Sequence, residues 1–194
     1  MCRYLVNSPP SPYDRAHNLR FAYGNGLRPD VWQKLKDRFN IPTIIEFYGA
    51  TEASGLCYVH SQNDFTRNTI ARQGFLVRNL LQTFIIVKHD HEREEPYRDP
   101  KTGFCVRCED VAGEVLHPLD PASIGANYQG YFGNEKASMT KVVRDVFKKG
   151  DAYYRTGDML RRDTEGRMYF SDRIVSVTAT FLPEEDADQL VRLG

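Results

Sequence analysis

Apolar residues recur along this chain at two periods. Leu19-Arg20-Phe21-Ala22-Tyr23 alternates as a short strand would, and Gly24-Asn25-Gly26 ends it in a tight loop. From Arg28 to Phe39 the spacing lengthens: Val31, Leu35 and Phe39 recur every fourth residue. Pro29 suits the first turn, Asp30 suits the positive helix end and Asn40 supplies a stop, so a helix is predicted. The apolar run Ile41 to Phe47 follows, in which Ile44, Ile45 and Phe47 suit a buried strand that Gly49 ends. Strand, glycine loop, helix and strand over Leu19 to Phe47 make a βαβ unit. That topology brings the Gly24-Asn25-Gly26 loop and the Tyr48 to Glu52 loop to one edge of a parallel sheet.

Before this unit, Ser8-Pro9-Pro10-Ser11-Pro12 forbids helix and favours extended chain. After it, Ala53 to Arg72 reads as polar and irregular, and Thr83 to Val87 as a strand. His89-Asp90-His91-Glu92 places two histidines on one face, where they could bind zinc, but a pair without further ligands reads better as a solvated loop. Arg98-Asp99-Pro100-Lys101-Thr102-Gly103 predicts a turn. Cys105 and Cys108 have redox spacing yet fall in an apparent strand, where residues three apart face opposite ways, so two structural cysteines are expected. Gly113 to Leu116 predicts a strand closed by Pro118 and Pro121. A helix is predicted from the Asn134 cap to about Lys148, with Met139, Val142, Val143, Val146 and Phe147 as its apolar stripe. Finally, Asp151 to Asp158 leading into Met159 to Arg162, with Arg167 to Phe170 returning, predicts a hairpin turning at Gly166.

At 194 residues the chain is long enough for a sizeable core, and 26 basic against 26 acidic residues give no electrostatic case for nucleic acid. Its apolar runs are too short to span a bilayer as helix, its first residues lack a secretory apolar segment, and four cysteines suggest a reduced, intracellular setting. Candidate chemistry concentrates in two places. In Glu46-Phe47-Tyr48-Gly49-Ala50-Thr51-Glu52, Tyr48 could stack on a base, Gly49 and Ala50 admit close backbone approach, Thr51 could bond a phosphate and Glu52 could hold Mg2+ through oxygen. The alternative is an ordinary strand-end turn. Asp158, beside Gly157 at the hairpin mouth, could accept two hydrogen bonds from a ribose diol, or be a turn aspartate. Arg173 could reach the same sugar or pair with a neighbouring carboxylate.

Four segments occur in a telling order: Gly24-Asn25-Gly26-Leu27-Arg28-Pro29-Asp30-Val31-Trp32, Glu46 to Glu52, Tyr128-Gln129-Gly130-Tyr131-Phe132-Gly133-Asn134-Glu135-Lys136-Ala137, and Tyr153-Tyr154-Arg155-Thr156-Gly157-Asp158. With them the chain resembles the acyl-adenylate-forming ligases, and within them the very-long-chain acyl-CoA synthetase and fatty acid transport protein family of fungal type, from Met1 to about Ile174. The resemblance implies an α/β fold, the later part of a large AMP-binding domain: a parallel βαβ unit, then mixed and antiparallel strands and a hairpin. It also implies a two-step ligase: ATP and a fatty acid give an acyl-adenylate, and coenzyme A then displaces AMP. By the same resemblance Tyr48 stacks on adenine, Gly24, Asn25 and Gly26 lie along the nucleotide with Gly49 and Ala50, and Asp158 and Arg173 bind ribose. Thr51, on phosphate, and Glu52, on Mg2+, are the implied catalytic pair. Implied settings are the periphery of a peroxisome, endoplasmic reticulum, lipid droplet or plasma membrane.

The departures are informative. The family's Ser/Thr/Gly-rich phosphate loop and most of its acyl tunnel are expected upstream of Met1, and the sequence after Ile174 does not match. Residues 1–174 are therefore expected to be a partial AMP-binding domain, cut at both ends and inactive alone, and 175–194 an unrelated, disordered tail. The sharp edge at Val175-Ser176, codons compatible with an intron's start, suggests an unspliced intron; the alternative is a short isoform with a tail helix over Glu184 to Leu193. Two rivals stand beside the ligase: a non-catalytic nucleotide- or lipid-binding remnant, and an adenylating enzyme for another carboxylic acid.

Overall fold

The computed structural model describes residues 2–50, 53–61, 63–81, 85–108, 110–131 and 133–174. Thr51, Glu52, the first part of the Thr83 to Val87 strand and the whole of 175–194 lie outside them, with the expectations attached to each.

Helix α1 (Cys2–Asn7) leads through the prolines to β1 (Phe21–Gly24), α2 (Pro29–Phe39), β2 (Thr43–Ala50) and β3 (Ala53–Ser61). The proline segment is tied down by one side chain: the Arg38 guanidinium donates to the carbonyls of Val6 (3.1 Å), Ser8 (2.7 Å) and Pro9 (2.8 Å) and to Asp14 (2.8 Å). Strands β1 and β2 are parallel, with Gly24 level with Glu46, which completes the expected βαβ unit. Pro29 opens α2, and Asn40 closes it in a left-handed conformation (φ 50°), its N–H donating to the Lys36 carbonyl. The helix buries Val31, Trp32 and Leu35, each contributing about 1.5 to 3 kcal/mol or more by leaving water. Phe39, expected in that stripe, is only half-buried, and Trp32 takes its place.

Two expectations fail around β2. Gly49 does not end the strand: β2 runs through it to Ala50 and turns into β3, which pairs with it antiparallel, where sequence alone suggested irregular chain. The buried face of β2 is Ile44, Glu46 and Tyr48, and Ile45 and Phe47 are half-buried on the other. Strand alternation forces one set or the other inward, and the buried set here is the one that carries a carboxylate.

The second sheet collects β4 (Ala71–Arg72), β5 (Ile85–Val87), β8 (Gly113–Leu119), β10 (Ala152–Arg162) and β11 (Arg167–Arg173) in the order β4-β11-β10-β8-β5, with β9 (Val142–Arg144) also on β10. All its pairings are antiparallel. Between these strands lie α3 (Phe75–Leu81), the small ladder β6 (His89–Asp90) with β7 (Glu95–Pro96), and the short helices α4 (Ile124–Asn127) and α5 (Glu135–Thr140). The β10–β11 hairpin turns at Gly166 (φ 75°) as expected, and a Cβ there would overlap the Gln73 carbonyl. Tyr48 from the first sheet packs with Ile70, Ala71, Ile86, Val115, Leu160 and Met168 of the second, so one core joins them.

Three further expectations are corrected. The helix from Asn134 stops at Thr140, and Val142 and Val143 enter a strand beside β10. Their β-branched side chains suit that pairing. Asp151 then accepts the backbone N–H groups of Val146 (2.6 Å), Phe147 (3.0 Å) and Lys148 (3.1 Å), holding a turn where a helix was expected. Pro118 lies inside β8 rather than after it, opposite Tyr153 of β10. Cys105 and Cys108 occupy a looped segment with isolated bridges instead of a strand, and neither is part of a disulfide.

Candidate functional site

Strand β10 loses register with β8 between Arg155 and Met159, and Gly157 sits at φ 74°. The Thr156 hydroxyl donates to the Val115 carbonyl (3.0 Å) and accepts the Asp158 N–H (3.0 Å), so the bulge is pinned from beneath. Its consequence is to turn Asp158 toward the end of β2. There the Tyr48 hydroxyl donates to Asp158 Oδ2 at 2.9 Å, across 110 positions of sequence. Arg173, level with Asp158 across the hairpin, places Nε 3.4 Å from Oδ1.

These residues line a cavity of about 530 Å3, together with Asn25, Gly26 and Gly49. Six of the expected nucleotide contacts are thus gathered around one space, although they come from three separate parts of the chain. Tyr48 forms a wall whose ring is 5% exposed and packed into the core. Gly24 instead faces an adjoining cavity of about 340 Å3, which Asn25 and Gly26 also border. Sequence reasoning missed Leu27, Asn68, Ile70, Thr156 and Phe170 among the lining residues. Asn68 has a positive φ of 61° and a buried amide oxygen with no hydrogen-bond partner among the described residues. An asparagine in an otherwise irregular stretch was the available hint.

Glu46 borders the smaller cavity and is 2% exposed. Neither carboxyl oxygen has a hydrogen-bond partner of good geometry among the described residues, and the nearby Leu27 N–H offsets only part of the penalty. Burial pushes its pKa up from 4.5 to about 7. In that interval the folded chain holds a proton that the unfolded chain has released, so stability falls as pH rises from about 4.5 to about 7 and levels off above. The fall amounts to about 2 to 3 kcal/mol after allowance for screening. Glu46→Gln, neutral at every pH, is expected to remove it. Thermal unfolding of both proteins across this range checks the point, and parallel curves would show that Glu46 ionises freely.

A second buried carboxylate holds the sheet behind the site. Glu114, fully buried, accepts Arg155 Nε (2.8 Å) and Nη2 (3.0 Å) and lies 3.1 Å from His89 Nδ1. His89 is therefore not the solvated loop residue expected: its side chain is 2% exposed, and its ring meets that of exposed His91 edge-on at 5.1 Å. Among the described residues no three His, Cys, Asp or Glu side chains could hold a metal ion.

This fold, a βαβ unit joined to a bulged antiparallel sheet, is shared with solved adenylation domains. The Vibrio cholerae adenylation domain AlmE, solved in complex with glycyl-adenosine-5'-phosphate, superposes with a TM-score of 0.52 at 16% identity, covering 88% of this chain and 29% of that one. The profile of the family described as AMP-binding enzyme matches residues 1–114, and this chain belongs to that family. It is 44% identical over 174 residues to the very long-chain fatty acid transport protein of Cochliobolus heterostrophus, covering 89% of this chain and 27% of that protein. With the protein of the same name from Saccharomyces cerevisiae it shares 42% identity over 178 residues, 90% of this chain and 26% of that one. The chain spans about a quarter of the length of these relatives.

Proposed function

We propose that this chain forms the adenosine-binding side of an AMP-forming ligase that activates long-chain or very long-chain fatty acids to acyl-CoA. The observation that carries the reading is the convergence of Asn25, Gly26, Tyr48, Gly49, Asp158 and Arg173 on one cavity. In the reaction, a fatty acid carboxylate oxygen attacks the α-phosphorus of ATP and pyrophosphate leaves. The coenzyme A thiol then attacks the acyl carbon, AMP leaves and the thiol proton passes to solvent. Such chemistry needs positioning and charge stabilisation more than a protein nucleophile. Asp158 accepts the ribose hydroxyls, Gly26 and Gly49 let the backbone approach the nucleotide, and Tyr48 walls the base side. Thr51 and Glu52 are assigned to phosphate and Mg2+ as the resemblance implies. Fatty acid and coenzyme A are the partners in this reading, at a lipid surface where such acids partition. No helix among the described residues is long and apolar enough to cross a membrane.

Calorimetric titration tests the nucleotide half: AMP is expected to bind and GMP to bind more weakly, and absence of AMP binding would overturn the reading. The acid is tested by grafting residues 2–174 into the corresponding region of the yeast relative. ATP- and coenzyme A-dependent thioester formation from long-chain and very long-chain acids should persist. A soluble chimera that adenylates only other acids would remove the fatty acid assignment.

A further inference from the structure

A ring wall beside a nucleotide needs no hydroxyl, and phenylalanine would fill the same core volume. Tyr48 nevertheless presents its O–H to Asp158 Oδ2 at 2.9 Å, in a setting where Tyr48 is 5% exposed and the Asp158 side chain 15%. The backbone of Asp158 is already set by Thr156 and by the left-handed Gly157. What those contacts leave undetermined is the rotation of the carboxylate about its last bond. Arg173 is a poor restraint on it, at 3.4 Å and with a side chain 73% exposed. The buried Tyr48 hydroxyl is the better one, because it comes from a core residue that cannot drift.

Each carboxylate oxygen can accept two hydrogen bonds. With Tyr48 on Oδ2 and Arg173 beside Oδ1, one acceptor position remains on each oxygen, which matches the two donors of a vicinal diol. We infer that Tyr48 is a positioning residue for ribose recognition: its hydroxyl fixes the Asp158 carboxylate so that both remaining acceptor positions meet the 2'- and 3'-hydroxyls. This rests on the proposed nucleotide reading and adds selectivity for the intact diol. It also explains the residue choice at a position joining the two sheets. A tyrosine here serves the core with its ring and the site with its oxygen.

The experiment compares AMP with 2',3'-dideoxyadenosine 5'-monophosphate on the 194-residue chain and its variants by calorimetry. Wild type should prefer AMP. Tyr48→Phe should lower AMP affinity about 10-fold, the worth of one hydrogen bond to a charged acceptor at the low end, and leave the dideoxy nucleotide unchanged. In an Asp158→Ala background the same substitution should have no further effect. Equal weakening of both nucleotides by Tyr48→Phe would make the hydroxyl merely structural and overturn the inference, as would unchanged AMP affinity. Failure of wild type to bind AMP would instead overturn the nucleotide reading, and binding without diol preference would remove Asp158 from the ribose. If Tyr48→Phe does not fold, Asp158→Glu provides the check: it keeps the charge but moves the carboxylate by one methylene, and retained diol preference would overturn the inference.

Discussion

In the Asp158→Ala variant, AMP affinity is expected to fall roughly 10- to 150-fold, equivalent to about 1.5 to 3 kcal/mol for hydrogen bonds to a charged acceptor. Among the described residues lining the cavity the carboxylate is the one anionic group, and its removal leaves the Tyr48 hydroxyl and the Arg173 guanidinium facing the space it occupied. 2',3'-Dideoxyadenosine 5'-monophosphate lacks the hydroxyls that the carboxylate accepts, so it should bind both proteins equally well. Calorimetry with AMP and the dideoxy nucleotide separates loss of the ribose contact from a general loss of binding. An unchanged AMP constant would take Asp158 out of the site, and a parallel loss for both ligands would indicate a disturbed fold.

Glu114→Ala is expected to destabilise the chain by about 3 to 5 kcal/mol, the usual consequence of removing one member of a buried ion pair. The cost arises mainly from what is left behind. Arg155 loses both bonds to the carboxylate and keeps one to the Glu94 carbonyl (2.8 Å), while the buried His89 ring loses its carboxylate partner. Since β8 and β10 form the centre of the larger sheet, the loss is felt throughout it. Domain stabilities of about 5 to 15 kcal/mol make such a change large. Urea unfolding should show a lower midpoint with an unchanged slope. A loss below about 1 kcal/mol would mean that Arg155 finds water readily and that the pair is not a structural keystone.

Local chemistry was legible where one neighbour decides the conformation. Pro29 and Asn40 bounded α2, Gly166 marked the hairpin, and Asp99 marked its turn, where its carboxylate accepts the N–H groups of Lys101 (2.7 Å) and Thr102 (3.1 Å). The stripe Met139 to Phe147 misled because the adjacent, β-branched Val142 and Val143 fit a strand as well as a helix, and β10 and the Asp151 carboxylate chose between them. Strand β3 was illegible for a related reason: its ordering comes from pairing with β2, not from an apolar pattern of its own.

The candidate site divides along the same line. By itself the sequence determined the residue types able to meet a nucleotide, the glycines that admit close approach, the parallel βαβ unit and the hairpin, since each follows from local backbone preference and side-chain chemistry. Only the tertiary structure decided that Tyr48 and Asp158 touch, that Gly24 faces a different cavity from Gly26, and that Glu46, Glu114 and His89 are buried. Those outcomes depend on which face of a strand meets its neighbour and where a register breaks, as at Gly157. Such choices are made by packing between segments far apart in sequence, from 25 positions for His89 and Glu114 to 110 for Tyr48 and Asp158.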